Sequence, residues 1–154
     1  MEQNECLWGI DLGGTKIEGV VMRRGENPEV LARKRVKTES KKGYEHILLK
    51  VKNLVDELSK ETQLSPPVIG VGTPGTLEPD THTLKNSNTT CLNGKPVKND
   101  LEQKLGFPVV MANDANCFAL AETHYGGVKD LNVRTSLVFG IIMVSNVEIF
   151  NIFS

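Results

Sequence analysis

Leu7, Trp8, Ile10 and Leu12 make a short apolar run that ends on glycines, the pattern of a buried strand. After Gly13-Gly14-Thr15 a second β-rich run extends from Ile17 to Met22, so the three residues between are a hairpin turn. Arg24-Gly25-Glu26-Asn27-Pro28 supplies the next turn before a third strand from Val30 to Lys37, and the opening reads as a three-stranded meander. From Tyr44 the rhythm changes. Ile47, Leu48, Val51, Leu54, Val55 and Leu58 recur at three and four residues, with Lys50, Lys52, Asp56 and Glu57 on the other face, which predicts a helix. Pro66-Pro67 closes the connection and Val68 to Gly72 returns to a short buried strand, giving the strand, helix, strand order of a crossover onto a mixed sheet. Thr73-Pro74-Gly75 is a turn, and the polar stretch from Glu78 to Asn93 reads as an excursion over the surface. Val97 to Leu105 is a short helix stopped by Gly106, Pro108 to Met111 is β-rich, and Ala115 to His124 is helical in composition, ending at Gly126-Gly127. One more apolar run covers Val133 to Val144. The tail that follows carries Val147, Ile149, Phe150, Ile152 and Phe153 without a polar counterpart face, which fits a docked strand, a sticky end that allows a homo-oligomer, or the product of a disrupted reading frame.

Composition narrows this α/β picture. With 154 residues, 39% hydrophobic and 24% charged, one globular domain is expected. A net charge of -1 from 18 basic and 19 acidic residues provides no field to attract nucleic acid or an anionic membrane, so a small neutral or weakly charged partner fits better. Neither a signal-peptide pattern nor an apolar run of membrane-spanning length is present, and a cytoplasmic location is expected. Cys6, Cys91 and Cys117 are far apart and lack CxxC spacing, which suits reduced thiols, with Cys117 packing a helix. His46, His82 and His124 have no ligand spacing, so no metal-binding set is expected from protein residues.

Three constellations carry candidate chemistry. In Asp11-Leu12-Gly13-Gly14-Thr15-Lys16 two glycines leave peptide N-H groups uncovered, Thr15 adds a hydroxyl, and Asp11 at the strand end suits water-mediated Mg2+. Neither the Walker spacing nor GxGxxG is matched, and the same glycines also serve a plain hairpin. In Asn113-Asp114-Ala115-Asn116 a carboxylate sits where a strand gives way to a helix. Helix N-terminal N-H groups would hold it ionised and directed, as a base or as an ordinary cap. In Gly70-Val71-Gly72-Thr73-Pro74-Gly75, with Lys85-Asn86-Ser87-Asn88-Thr89-Thr90 beyond it, glycine and a rigid proline turn admit a polyol, and the amides match sugar hydroxyls. A plain loop explains the same Asn and Thr residues. No Ser-His-Asp arrangement supports hydrolysis.

In this order and spacing, the segments resemble the ROK family of sugar kinases and sugar-responsive repressors, most closely its fructokinase, mannokinase and N-acetylhexosamine kinase members. The resemblance covers about residues 7 to 143. Gly9-Ile10-Asp11-Leu12-Gly13-Gly14-Thr15-Lys16 is similar to the family's first phosphate loop, Gly72-Thr73-Pro74-Gly75 to its sugar-side turn, and Leu84 to Pro96 to a stretch of fructokinase-like members. Ala112-Asn113-Asp114-Ala115-Asn116 resembles the catalytic segment. The resemblance implies an actin and hexokinase-like (ribonuclease H-like) N-terminal lobe and ATP-dependent phosphorylation of a hexose at its 6-hydroxyl, with ATP and Mg2+ bound along residues 9 to 16. It further implies Asp114 as base, with Gly72, Thr73, Pro74, Gly75, Asn88, Asn113 and Asp114 on the sugar side. Cys91 stands where related fructokinases often have an aromatic residue, which leaves the hexose open.

After Met143 the family pattern of a second phosphate loop, an E-x-G-H segment and a Cys-rich zinc motif is not followed. The expected division is a kinase lobe over residues 1–130, then the first strand of a missing second lobe and a divergent tail over 131–154. A truncated chain with negligible turnover is expected on that basis. The alternative is a non-catalytic sugar-binding or regulatory module. Only eight residues precede Gly9, without a basic helix, so the DNA-binding repressor version has little support.

Overall fold

The opening meander forms as the pattern predicts. In the computed structural model, which describes residues 6–23 and 29–113, β1 (Cys6–Leu12), β2 (Lys16–Arg23) and β3 (Glu29–Lys37) are consecutive antiparallel strands. Alternation sorts their side chains. Trp8, Ile10, Leu12, Ile17, Val21 and Ala32 enter the main core, whereas Val20 and Met22 form a small second cluster with Leu7 on the opposite face. Between Val21 and Met22 the pairing with β3 shifts by one residue, leaving Leu31 as a bulge.

Helix α1 (Tyr44–Thr62) lays all six predicted apolar residues against the core face. Burying each contributes roughly 1.5–3 kcal/mol. The helix comes so close to the sheet that a Cβ on Gly19 would lie 2.7 Å from Leu58 Cδ1 and 3.1 Å from Ile10 Cδ1. A bare Cα there sets the helix-to-sheet distance. Gln63, with φ 59°, ends the helix in a left-handed conformation.

The chain then crosses to β4 (Ile69–Thr73), which runs parallel to β1 and is wholly buried. Helix α2 (Val97–Leu105) buries Val97, Leu101 and Leu105, one residue per turn, and stops at Gly106, whose φ of 77° and N-H bond to Glu102 O close its C-terminus. Tyr44 Oη donates to Asp100 at 2.7 Å, tying α1 to α2. Strand β7 (Val109–Asn113) adds parallel to β4, so the five-stranded order is β3-β2-β1-β4-β7.

Between β4 and α2 the surface-excursion reading holds for most of residues 78–93 and fails at four positions that pack inward. Thr76–Leu77 (β5) and Leu84–Lys85 (β6) pair as a small ladder, a 3-10 turn covers Thr90–Leu92, and Leu84, Ser87, Thr89 and Leu92 are buried. Ser87 N-H donates to Asn93 Oδ1 at 2.9 Å and Asn93 Nδ2 donates to Ser87 O at 3.0 Å, closing the segment into a strap. Of its polar residues Ser87 and Thr89 are used internally, and Asn86, Asn88 and Thr90 stay exposed. The turn expected at 24–28, the helix at 115–124, the run at 133–144, the tail, Cys117 and His124 lie outside the described residues.

Candidate active site

Three parallel strands end at the same edge of the sheet. Asp11 of β1 is in register with Gly72 of β4, and Gly72 with Ala112 of β7; one step further, Thr73 pairs with Asn113. Parallel strands feeding helices place their carboxyl ends together, where open α/β sheets bind ligands. At a strand spacing of about 4.8 Å, β1 and β7 are separated by roughly 10 Å. Only Gly72 stands between Asp11 and Ala112 on that face, so no large side chain divides the edge.

The hairpin joining β1 and β2 is tightly held. Gly13 N-H donates to Lys16 O at 3.0 Å, and a Cβ on Gly13 would sit 2.8 Å from that carbonyl, which requires glycine. Thr38 grips the turn from behind: its hydroxyl donates to Gly13 O at 2.7 Å and its N-H to Thr15 O at 2.9 Å. Both carbonyls are thus turned away from the tip. Thr15 is exposed there, and no described residue accepts from Gly14 N-H. The turn therefore presents uncovered donors, the property looked for in a phosphate loop. Gly9, Ile10 and Leu12 are buried strand residues that support it, and Lys16 is partly covered at the start of β2.

Electrostatics beside Asp11 come from β2 and β3. Glu18 lies directly across from Asp11 on the same face and is only 6% exposed. Burial alone would push its pKa up, but hydrogen bonds and charge from Arg33 and Arg35 outweigh that and hold Glu18 below the ordinary carboxylate value. Arg35 Nη2 is 2.8 Å from Glu18 Oε2, while Arg33 Nε bonds Oε1. Asp11 therefore faces a compensated carboxylate rather than an unneutralised like charge.

On the other side of the edge, Thr73 is buried with an unpartnered hydroxyl, Pro74 is partly covered, and Gly75 turns the chain with φ 132°. A Cβ on Gly75 would meet Lys85 O at 2.9 Å, so the turn and the strap are packed backbone to backbone. Asn88 is exposed on the strap, whereas its neighbour Thr89 is 3% exposed. Asn113 ends β7, and Asp114, the expected base, lies outside the described residues. The structure thus brings the hairpin, the Thr73–Gly75 turn and Asn113 to one edge.

Two contributors were not singled out from sequence, Thr38 and the Arg33-Glu18-Arg35 group. Thr38 has no local signature, while the alternation of Glu18 and Arg35 across paired strands was a usable signal once register was known. Among the described residues no three His, Cys, Asp or Glu side chains converge as a metal site. His46, on α1, lies 3.0 Å from Glu39.

The family model for ROK proteins matches residues 7–144. N-acetyl-D-glucosamine kinase of Vibrio parahaemolyticus is 36% identical over 133 residues, which are 86% of this chain and 43% of that protein. ROK hexokinase from Thermus thermophilus superposes with a TM-score of 0.64 at 31% identity, over 77% of this chain and 38% of that one. A ROK family glucokinase from Streptomyces griseus, solved with glucose and AMPPNP, gives a TM-score of 0.64 at 27% identity, over 81% of this chain and 38% of that one. The chain thus spans less than half the length of these relatives and corresponds to their N-terminal lobe, with the actin-like fold of ROK hexokinases. A match over residues 7–144, together with the shared fold, makes this chain a member of the ROK family.

Proposed function

We propose that this chain forms the N-terminal side of the cleft of a cytoplasmic sugar kinase that phosphorylates a hexose at its 6-hydroxyl. The observation that carries the reading is the common edge at which Asp11, Gly72 and Ala112 align, with the uncovered hairpin at one end and Asn113 at the other. Phosphoryl transfer depends mainly on holding donor and acceptor in line, and an edge about 10 Å wide suits a hexose beside a phosphate chain. Relatives named as N-acetylglucosamine kinases make an N-acetylated hexose the first candidate.

In this reading residues 9–16 receive the nucleotide phosphates, with Asp11 placed to hold Mg2+ through water. The donor set fits: peptide N-H groups and a hydroxyl sit at the tip, and a carboxylate stands one strand-end away. ATP with Mg2+, when bound, supplies the phosphoryl group that moves. Thr73 and the Pro74-Gly75 turn line the sugar side with Asn88 and Asn113, and their hydroxyl and amide groups orient the ring. Asp114, next in the chain after Asn113, takes the proton of the attacking hydroxyl.

Calorimetric titration of the purified chain with N-acetylglucosamine, glucose, mannose and fructose tests the reading. Saturable heat with at least one hexose, lost in Asn113→Ala, is the expected result. No response to any of the four would overturn it.

A further inference from the structure

Among the described residues, three buried polar side-chain atoms lack a hydrogen-bond partner: Trp8 Nε1, Thr73 Oγ1 and Thr89 Oγ1. Trp8 sits mid-strand on the core face and Thr73 belongs to the sugar-side turn described above. Thr89 is different. It precedes the 3-10 turn Thr90–Leu92 in the capping position, where a threonine hydroxyl normally satisfies a backbone N-H, yet it makes no such bond. Its hydroxyl is directed at the phosphate hairpin instead: a Cβ on Gly14 would lie 3.1 Å from Thr89 Oγ1.

Leaving a buried hydroxyl unsatisfied costs about 1–3 kcal/mol, so its placement needs a compensating partner. The strap holds it there rigidly. The paired bonds between Ser87 and Asn93 close the segment, Thr89 N-H is bonded to Ser87 Oγ at 3.2 Å, and Leu92 anchors it in the core. At the same spot Gly14 has a bare Cα and an N-H that no described residue accepts, and Thr15 exposes its hydroxyl at the tip. A buried hydroxyl beside an N-H, with no described acceptor for either, suits an anionic oxygen.

We propose that Thr89 is a phosphoryl-binding residue: its hydroxyl donates, across the bare face of Gly14, to an oxygen of the phosphate group held by the Gly13-Gly14-Thr15 hairpin. The assignment rests on the phosphate role proposed for that hairpin and extends it to a strap otherwise placed on the sugar side. One rigid segment then touches both partners of the transfer, Asn88 facing the sugar and Thr89 the phosphoryl group.

The test is titration of the full chain with pyrophosphate in magnesium buffer, by calorimetry and phosphorus NMR. Thr89→Val keeps the shape and removes the hydroxyl; it should bind about tenfold or more weakly, as expected for a lost hydrogen bond to a charged group, while Thr89→Ser should stay within about threefold of the parent. Without ligand, Thr89→Val should unfold at the same or a higher temperature, because no unsatisfied donor remains buried. Gly14→Ala, which fills the space in front of the hydroxyl, should weaken binding likewise. Unchanged affinity in Thr89→Val, no binding by the parent chain, or a lower ligand-free melting temperature in Thr89→Val would each overturn the proposal, the last by showing that the hydroxyl serves the fold. A parent chain that binds pyrophosphate but no hexose would count against the kinase reading and leave the Thr89 assignment standing.

Discussion

Glu18 is the residue at which burial and charge compete most directly. Its carboxylate is withdrawn from water, yet the guanidinium groups of Arg33 and Arg35 keep it ionised and its pKa below the ordinary value. The linkage has a definite sign. An unfolded chain, in which Glu18 returns to its ordinary pKa, takes up a proton first as pH falls. The stability that Glu18 contributes is therefore fully present above that value and is lost as pH drops through its folded pKa. Urea midpoints measured from neutral pH down to about pH 3 should fall more steeply for the parent chain than for Glu18→Gln, the curves converging at the acid end. Equal slopes would mean that the two arginines do not stabilise the ionised form. Sequence could not single out Glu18, since a glutamate in a strand reads as solvent-facing until its partners across the sheet are known. Gly13 and Gly14 were legible as a turn, but what each faces, a backbone carbonyl that excludes a Cβ on Gly13 and the Thr89 hydroxyl close to Gly14, is visible only as contacts.

Among the elements, the five strands of the main sheet and the two described helices followed from the sequence pattern, because the burial they need comes from their own apolar residues, whereas the short β5 and β6 did not. Helix α2 runs from Val97 to Leu105 and stops at Gly106, as its pattern predicts. The strap between β6 and α2 did not follow. Its Ser, Thr and Asn residues look like solvent-exposed loop chemistry; Asn86, Asn88 and Thr90 are exposed, while Ser87 and Thr89 turn inward where Asn93 closes the segment. Asn93→Ala removes an acceptor from Ser87 N-H and a donor to Ser87 O. With Asn93 itself exposed, the expected loss is about 1 kcal/mol of stability. Limited proteolysis should show new cleavage within residues 86–94, and an unchanged digest would show that Leu84 and Leu92 suffice to hold the strap.

At the scale of the whole molecule, one apolar cluster joins the sheet to both helices and to the strap through Leu84 and Leu92. A shared core of this kind makes unfolding cooperative. Trp8, the single tryptophan, is 2% exposed at its centre, so its fluorescence change and the far-ultraviolet circular dichroism should trace one common denaturation curve. Separated midpoints would show that the meander and the α1–α2 layer unfold independently.

Sequence by itself determined the meander, the crossover, the start of α1, both ends of α2 and family membership, since each rests on short-range spacing or on motifs read in order. Tertiary structure alone decided that Asp11, Gly72 and Ala112 share a level, that Glu18 is held between two arginines, and that Thr89 of the strap lies against Gly14. Strand register and the packing of distant segments arise from how whole faces fit together, and no local run of residues encodes them.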